Sequence, residues 1–350
     1  MNITALGIKA IEQGIVPDAV TRMAIRRVCR ERVRESRQAF GALTDPSRAV
    51  FLESMRSGPI ALVPEMANQQ HYELPPEFFA AVLGPRRKYS CCFFPSDTTT
   101  LPEAEEAALA LTCERADIAD GQQILDLGCG WGSLTLWMAE RFRYSQITAV
   151  SNSLNQRRFI EAEALSRGLT NVQVIMCDMN EFGPGAQSFD RVVSVEMFEH
   201  MRNYDCLLQR VASWLRPGGK LFVHIFCHRS LSYPFETAGA ANWMGRHFFT
   251  GGIMPSANLL SQFNRALTIS QQYSWSGRHY RRTAEAWLAN LDRRRDNVLP
   301  ILAMAYGSTD ARRWLNRWRM FFLAVSELFG FADGEEWFVS HYVMEHRAAS

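Results

Sequence analysis

The chain is short of the features that would assign it to several large classes. Its eight cysteines (Cys29, Cys91, Cys92, Cys113, Cys129, Cys177, Cys206 and Cys227) are scattered, and no C-x-x-C pair occurs. That spacing indicates neither a zinc knuckle nor a disulfide framework, so no metal is expected and a reducing, cytoplasmic setting is the default. The formal net charge is only +2, which removes any global argument for nucleic-acid binding. No uninterrupted apolar run reaches spanning length, so no transmembrane helix is expected. The N-terminus lacks the charged-then-apolar pattern of a signal peptide. Internal repeats and low-complexity runs are missing as well. With 350 residues, 47% of them hydrophobic and 21% charged, the composition is ordinary and globular, enough for one large domain with appendages or for two.

What is there is organised around Gln123–Thr135, QILDLGCGWGSLT. Ile124, Leu125 and Leu127 form a short apolar run that suits a buried parallel strand. Gly128, Gly130 and Gly132 then turn the chain, and a helix is expected from Ser133. Strand, glycine turn and helix together make the local geometry of a nucleotide-type pocket, where backbone meets ligand and a Cβ would intrude. The dinucleotide spacing G-x-G-x-x-G is broken, because Ser133 stands where the third glycine belongs. A P-loop Lys followed by Ser or Thr is also missing. The turn looks like motif I of the S-adenosylmethionine (SAM) methyltransferases, with Asp126 just ahead of the glycines.

Around this stretch the chain reads as alternating strands and helices. Strands are expected at 123–127, 146–151, 172–177, 191–196, 220–226, about 267–275 and 337–345. Helices are expected near 77–83, 101–116, 133–142, 155–167 and 204–214, and within 284–306 and 311–329. Repeated β-α units imply a mostly parallel, doubly wound sheet with ligands at the carboxyl ends of its strands. A final antiparallel strand beside such a sheet is typical of the methyltransferase layout. Residues 1–65 read as a separate helical segment. Within it, Arg22 to Arg37 carries seven arginines against Glu31 and Glu35. A solvated basic face of a packed helix is favoured there over attraction to an anionic lipid surface. The region 66–350 reads as the main domain, with cap elements at about 229–262 and 284–330.

Polar residues stand at successive strand ends. Ser151, Asn152 and Ser153, with Gln156 soon after, follow the second strand, where a dinucleotide enzyme would usually carry an acid. Asp178 follows the third strand, placed to meet an adenine amino group, with Met179 beside it to pack on the ring. Each alone could be a helix cap or a turn residue. Their joint placement favours a pocket.

With these pieces the chain resembles the cyclopropane-fatty-acyl-phospholipid synthase and mycolic acid methyltransferase superfamily. The resemblance is carried by HY (71–72), YSC (89–91), LDLGCGWGS (125–133), MFEH (197–200), LRPGG (215–219), FVH (222–224) and HYRRT (279–283). Within that group it is closer to the coclaurine N-methyltransferase-like branch, through MANQQHYELP (66–75), TLPEAEEA (100–107), FEHMRNY (198–204), FFTGGIMPS (248–256) and GEEWFVSHY (334–342). The resemblance implies a Rossmann-like class I SAM-dependent methyltransferase. Its sheet would have seven mostly parallel strands, and its helical cap would be inserted after the fifth. It implies SAM contacts at Tyr89, Ser90, Gly128, Gly130, Asn152, Gln156, Asp178 and Met179, with S-adenosyl-L-homocysteine as product. It suggests Glu196, Glu199 and His200 as the acid/base group. Cys91, Glu199, His224 and Tyr280 match the positions that bind bicarbonate in cyclopropane synthases.

Two chemistries stay open. An amine substrate must present a free lone pair, so a carboxylate at Glu199 would hold the ammonium and the His200 imidazole would take its proton. The acceptor would then be a small hydrophobic, aromatic or heterocyclic amine. The alternative is methylene or methyl transfer to an unsaturated lipid acyl chain, with bicarbonate as a further ligand. Tyr72, Phe198, Trp243, Phe249, Tyr280 and Trp337 could line an apolar pocket, with Cys91 and His224 at its wall. Each aromatic on its own is more often core than cage. The sequence leaves monomer and homodimer both open.

Overall fold

The computed structural model describes residues 3–40, 46–63 and 74–347. Seven strands form the main sheet: β1 (Gln123–Leu127), β2 (Gln146–Ser151), β3 (Val172–Met176), β4 (Phe189–Val195), β5 (Leu215–His228), β6 (Leu267–Trp275) and β7 (Trp337–His346). Their order is β3-β2-β1-β4-β5-β7-β6. The first five pair in parallel, and β7 enters antiparallel between β5 and β6.

Alternation along each strand sends neighbouring apolar residues to opposite faces. Ile124, Ile147, Val193 and Phe222 pack with helices α5 (Leu101–Arg115), α6 (Ser133–Arg141) and α7 (Leu154–Ser166). Leu125, Val150, Val192 and Val223 pack on the other face with α8 (Tyr204–Trp214) and with Phe51 and Met55 near α3 (Pro46–Ser54). Both faces of the strands are therefore buried, and the order reverses between β1 and β4. That switch point is where an open α/β sheet leaves a crevice for its ligand.

A third core lies over the carboxyl ends of the strands. It joins α4 (Pro76–Val82) to α9 (Trp243–His247), α10 (Gly277–Arg293), α11 (Arg295–Tyr306) and α12 (Ala311–Phe329). The N-terminal helices α1 (Ile3–Glu12) and α2 (Asp18–Phe40) rest on α12. Several arginines of α2 are paired here. Arg22 pairs with Glu285 and Glu327, Arg26 with Glu327, Arg27 with Glu31, and Arg37 with Glu336. Arg32 donates to Asn242. Most of these arginines are still solvated, as a basic face on a packed helix should be, while Arg22, Arg26, Arg32 and Arg37 also tie the helix to the cap.

Two boundaries shift by several residues from the sequence reading, each for a local reason. β5 extends back to Leu215, because Leu215 pairs with Phe189 ahead of a bulge. α10 begins at Gly277, where the Ser276 side chain accepts from Arg278 N and caps it. The segment 229–262 is mostly irregular and holds a two-residue ribbon, Tyr233–Pro234 against Ile253–Met254.

Candidate active site

The carboxyl ends of β1, β2 and β4 open into a cleft with two lobes that share Gly128, Gly130 and Glu196. One lobe spans about 800 Å³, its open mouth included, with Asn152, Gln156, Met179, His200 and Thr250 on its walls. The other spans about 570 Å³ on the same measure, with Lys88, Tyr89, Ser90, Asp126 and Ser133 on its walls. Gly130 has φ +53, and a Cβ built on it would meet nothing within 4 Å. The space beside it is the cleft itself.

The polar groups here are made by local structure. Ser153 caps α7 by accepting from Gln156 N, and Gln156 Oε1 accepts from Ser151 Oγ at 2.5 Å. That leaves Gln156 Nε2 buried without a partner among the described residues, and Ser133 Oγ is in the same state. Asp126 accepts from Thr135 Oγ1 at 2.6 Å, and burial pushes its carboxyl up to about 6. Asp178 lines neither lobe. Its Oδ1 accepts from Asn180 N at 2.7 Å and closes its own turn, while Cys177 and Met179 form the wall. A glycine shelf, two unpaired buried donors and a helix N-terminus fit a ligand with hydroxyls and an amino-acid end.

Glu196, Glu199 and His200 follow β4 in that order. Glu196 sits at φ +50, a conformation that side chains rarely adopt. Its Oε1 accepts from Cys91 N at 2.9 Å and lies 3.2 Å from His224 Nε2; its Oε2 accepts from Tyr280 OH at 2.6 Å. Burial raises the Glu196 carboxyl, and Lys88 is the first of the groups that draw it back. A short 3-10 turn, Phe198–His200, carries the other two. It is pinned by Tyr204 OH donating to Phe198 O at 2.8 Å. Glu199 is fully buried, and neither of its oxygens has a hydrogen-bond partner among the described residues. Burial first, and the Glu196 charge second, hold its carboxyl well above the usual range. His200 lines the cleft and stacks on Phe249, ring centroids 5.8 Å apart. Burial takes its imidazole down to about 4.

Of the four positions matched to bicarbonate, three turn to the Glu196 carboxylate: Cys91 N–H, His224 Nε2 and Tyr280 OH. The oxygens of the fourth, Glu199, have no partner among the described residues.

The aromatic residues divide. Phe249 and Tyr280 belong to the site, and Tyr280 stacks on Phe329 at 4.4 Å. Phe198 is core, packed on Tyr204. Trp243 donates to Glu12 and packs on Phe248, and Trp337 donates to Tyr233 OH. Those three are structural. Tyr72 lies outside the described residues. The Cys91 thiol is pushed well up, by burial first and Glu196 next, and so stays protonated. Sequence reasoning passed over three residues. Lys88 is buried, with Nζ donating to Ser90 Oγ at 2.5 Å and to Cys91 O at 2.7 Å. Glu105 holds the N–H groups of Arg86 and Lys88. His341 backs His224. A lone Lys in the aromatic and cysteine-rich stretch RRKYSCCFF was the available signal for the first.

A switch-point cleft with a glycine shelf, in a seven-stranded sheet with one reversed strand, defines a SAM-dependent methyltransferase. Comparison with known proteins agrees. The family model described as mycolic acid cyclopropane synthetase matches residues 63–331, and the chain belongs to that family. The (S)-coclaurine N-methyltransferase of Thalictrum flavum subsp. glaucum is 37% identical over 344 residues, covering 97% of this chain and 95% of that protein. A crystal structure of coclaurine N-methyltransferase bound to N-methylheliamine and SAH superposes with a TM-score of 0.90 at 36% identity, over 97% of this chain and 98% of that one. The cyclopropane-fatty-acyl-phospholipid synthase of Escherichia coli (strain K12) is 29% identical over 224 residues, 63% of this chain and 55% of that protein.

Proposed function

We propose that this enzyme N-methylates a small hydrophobic amine, aromatic or heterocyclic, with Glu199 as its base. The observation that carries the reading is Glu199 itself, an enclosed carboxyl whose oxygens lack hydrogen bonds, beside an anchored Glu196. A buried carboxyl of this kind is costly unless a cation or donor comes to it. The likeness to (S)-coclaurine N-methyltransferase over nearly the whole chain supports the same reading.

When bound, SAM supplies a methyl group on a sulfonium, and the protein's task is mostly positioning. Gly128, Gly130, Asn152, Gln156, Tyr89 and Ser90 would hold it. An amine that enters as its ammonium forms a charged pair with ionised Glu199 in a low-dielectric place, where burial disfavours both charges. The pair is relieved by proton transfer. One N–H bond breaks, an O–H bond forms on Glu199, and the electron pair stays on nitrogen. His200, held neutral, offers a ring nitrogen as acceptor to orient the amine. Phe249 fixes the imidazole plane. These roles differ from the sequence expectation, which gave the proton to His200. An imidazole lowered to about 4 is a poor base, and a carboxylate raised well above its usual range is a good one.

The test is Glu199→Gln assayed with a panel of secondary and tertiary amines, with SAM binding measured in parallel by titration calorimetry. Turnover should fall on the order of 100-fold or more, with SAM affinity kept. Normal turnover would remove Glu199 as the base. Lost SAM binding would make it a cofactor contact.

A further inference from the structure

Behind Glu196 runs a line of side chains drawn from three other elements. His224 on β5 and His341 on β7 are register partners, and both are fully buried. His341 Nε2 lies 2.9 Å from His224 Nδ1, and His224 Nε2 lies 3.2 Å from Glu196 Oε1. At the far end, Arg115 on α5 sets Nη1 2.9 Å from His341 Nδ1. Its guanidinium lies over the Tyr273 ring, 4.4 Å from the centroid.

A guanidinium can only donate. His341 Nδ1 must therefore accept, and the His341 proton sits on Nε2, donated to His224 Nδ1. The His224 proton in turn sits on Nε2, donated to Glu196. One donor-only residue thus fixes the tautomers of two histidines and presents Glu196 with an N–H instead of a lone pair. Burial holds both imidazoles well below their ordinary value, so both stay neutral. The line is not an exit path for a proton, because Arg115 has no lone pair to receive one.

We propose that Arg115, His341 and His224 form a positioning relay that keeps Glu196 ionised and aimed at the acid/base site. The inference rests on the amine-methylation reading, since what the relay sets is the charge beside Glu199. With Glu196 ionised, Glu199 is the member of the pair that rises and takes the substrate proton. With the His224 tautomer reversed, a lone pair would face Oε1. Glu196 would then take up a proton, and Glu199 would lose the neighbouring charge. The titratable groups that face Glu196 are Lys88, Cys91, Glu199, His200, His224 and Tyr280; those at the outer end are Arg115, Glu114, His341 and Tyr273.

Three variants test this: Arg115→Met, His341→Phe and His341→Gln. The last keeps the direction of the line, because a glutamine accepts through Oε1 and donates through Nε2. Arg115→Met and His341→Phe should each lower kcat on the order of tenfold or more. They should leave SAM affinity intact and move the acidic limb of the kcat profile to lower pH, because Glu199 without a charged neighbour takes up its proton only in more acid solution. His341→Gln should restore both. Nitrogen-15 spectra of histidine-labelled enzyme should show His224 protonated on Nε2 in the parent and lose that signature in Arg115→Met. A drop in melting temperature with an unmoved pH limb and an unchanged tautomer would overturn the relay and leave these residues merely structural. The spectra need no turnover. An enzyme that binds SAM but methylates no amine would defeat the functional reading, while the relay is still judged by the tautomer.

Discussion

Glu199 and His200 are neighbours in sequence, yet their environments drive them in opposite directions. Both are pushed toward the neutral form, which makes the carboxylate the stronger base and the imidazole a fixed acceptor. The consequence is a contrast in pH behaviour. Glu199→Gln should recover part of its lost turnover at alkaline pH, where more of the amine arrives already neutral. His200→Ala should lose less and show no such recovery, because an orienting contact does not depend on the amine's protonation. Rate profiles of the two variants from neutral to alkaline pH decide this. Recovery confined to His200→Ala would return the base to the imidazole. At this scale the sequence was informative about which residues meet, because Glu196, Glu199 and His200 share one short stretch. It was uninformative about their roles, which depend on burial that comes from distant residues such as Phe249 and Tyr280.

At the scale of elements, β1, β2, β6, α8 and α12 run between the residues read from periodicity and turn signals. β1 and β2 were legible as short apolar runs, and α8 and α12 through apolar residues at helical spacing, each bounded by polar or glycine punctuation. The relay was not legible, since Arg115, Glu196, His224 and His341 belong to four segments that only sheet register and the packing of α5 on the sheet bring together. Nor was the local bond by which Asp178 closes its own turn with Asn180 N, which a strand-end position does not fix. Two elements carry predictions. In the glycine turn, Gly130→Ala forces a side chain into φ +53 with open cleft beside it. Apo stability should fall by about 1–2 kcal/mol, while SAM affinity falls far more, because the new methyl stands where the ligand must approach. Calorimetry and thermal melts on the one variant separate the two effects. On the cap, Glu327 takes both Arg22 and Arg26 and docks α2. Glu327→Gln should cost between the roughly 1 kcal/mol of an exposed pair and the roughly 3 kcal/mol of a buried one. Urea midpoints measure it, and no change would mean that α2 is held by its apolar face alone.

For the whole molecule, buried titratable groups set the acid limit. His200, His228, His247 and His279 are each lowered to about 4, and His224 and His341 well below the ordinary value. A lowered histidine contributes stability that is present above about 6.5 and lost as pH falls through its folded value. Asp126 and Glu105, raised to about 6 and about 7, work the other way, as do Glu196 and Glu199. They bind protons more readily in the folded state and so gain stability as pH falls. Unfolding free energy should therefore decline gently from pH 6.5 to 4.5. Below that it should drop steeply, where the lowered carboxyls of Glu12, Glu106, Glu140, Glu285 and Glu327 also begin to protonate. Denaturant melts across this range would show the break, and stability that rose steadily into acid would contradict the burial of the histidines.

The central claim is that this cleft serves an amine and not an acyl chain. The most direct measurement supplies SAM labelled in its methyl group together with two acceptors, a panel of hydrophobic secondary and tertiary amines and vesicles of unsaturated phospholipid. Because Cys91 N–H, His224 and Tyr280 all turn to Glu196 in this chain, the label should appear as an N-methyl group, with or without added bicarbonate, and none should enter lipid. Label in a cyclopropane or methyl-branched acyl chain, with every amine untouched, would contradict the account.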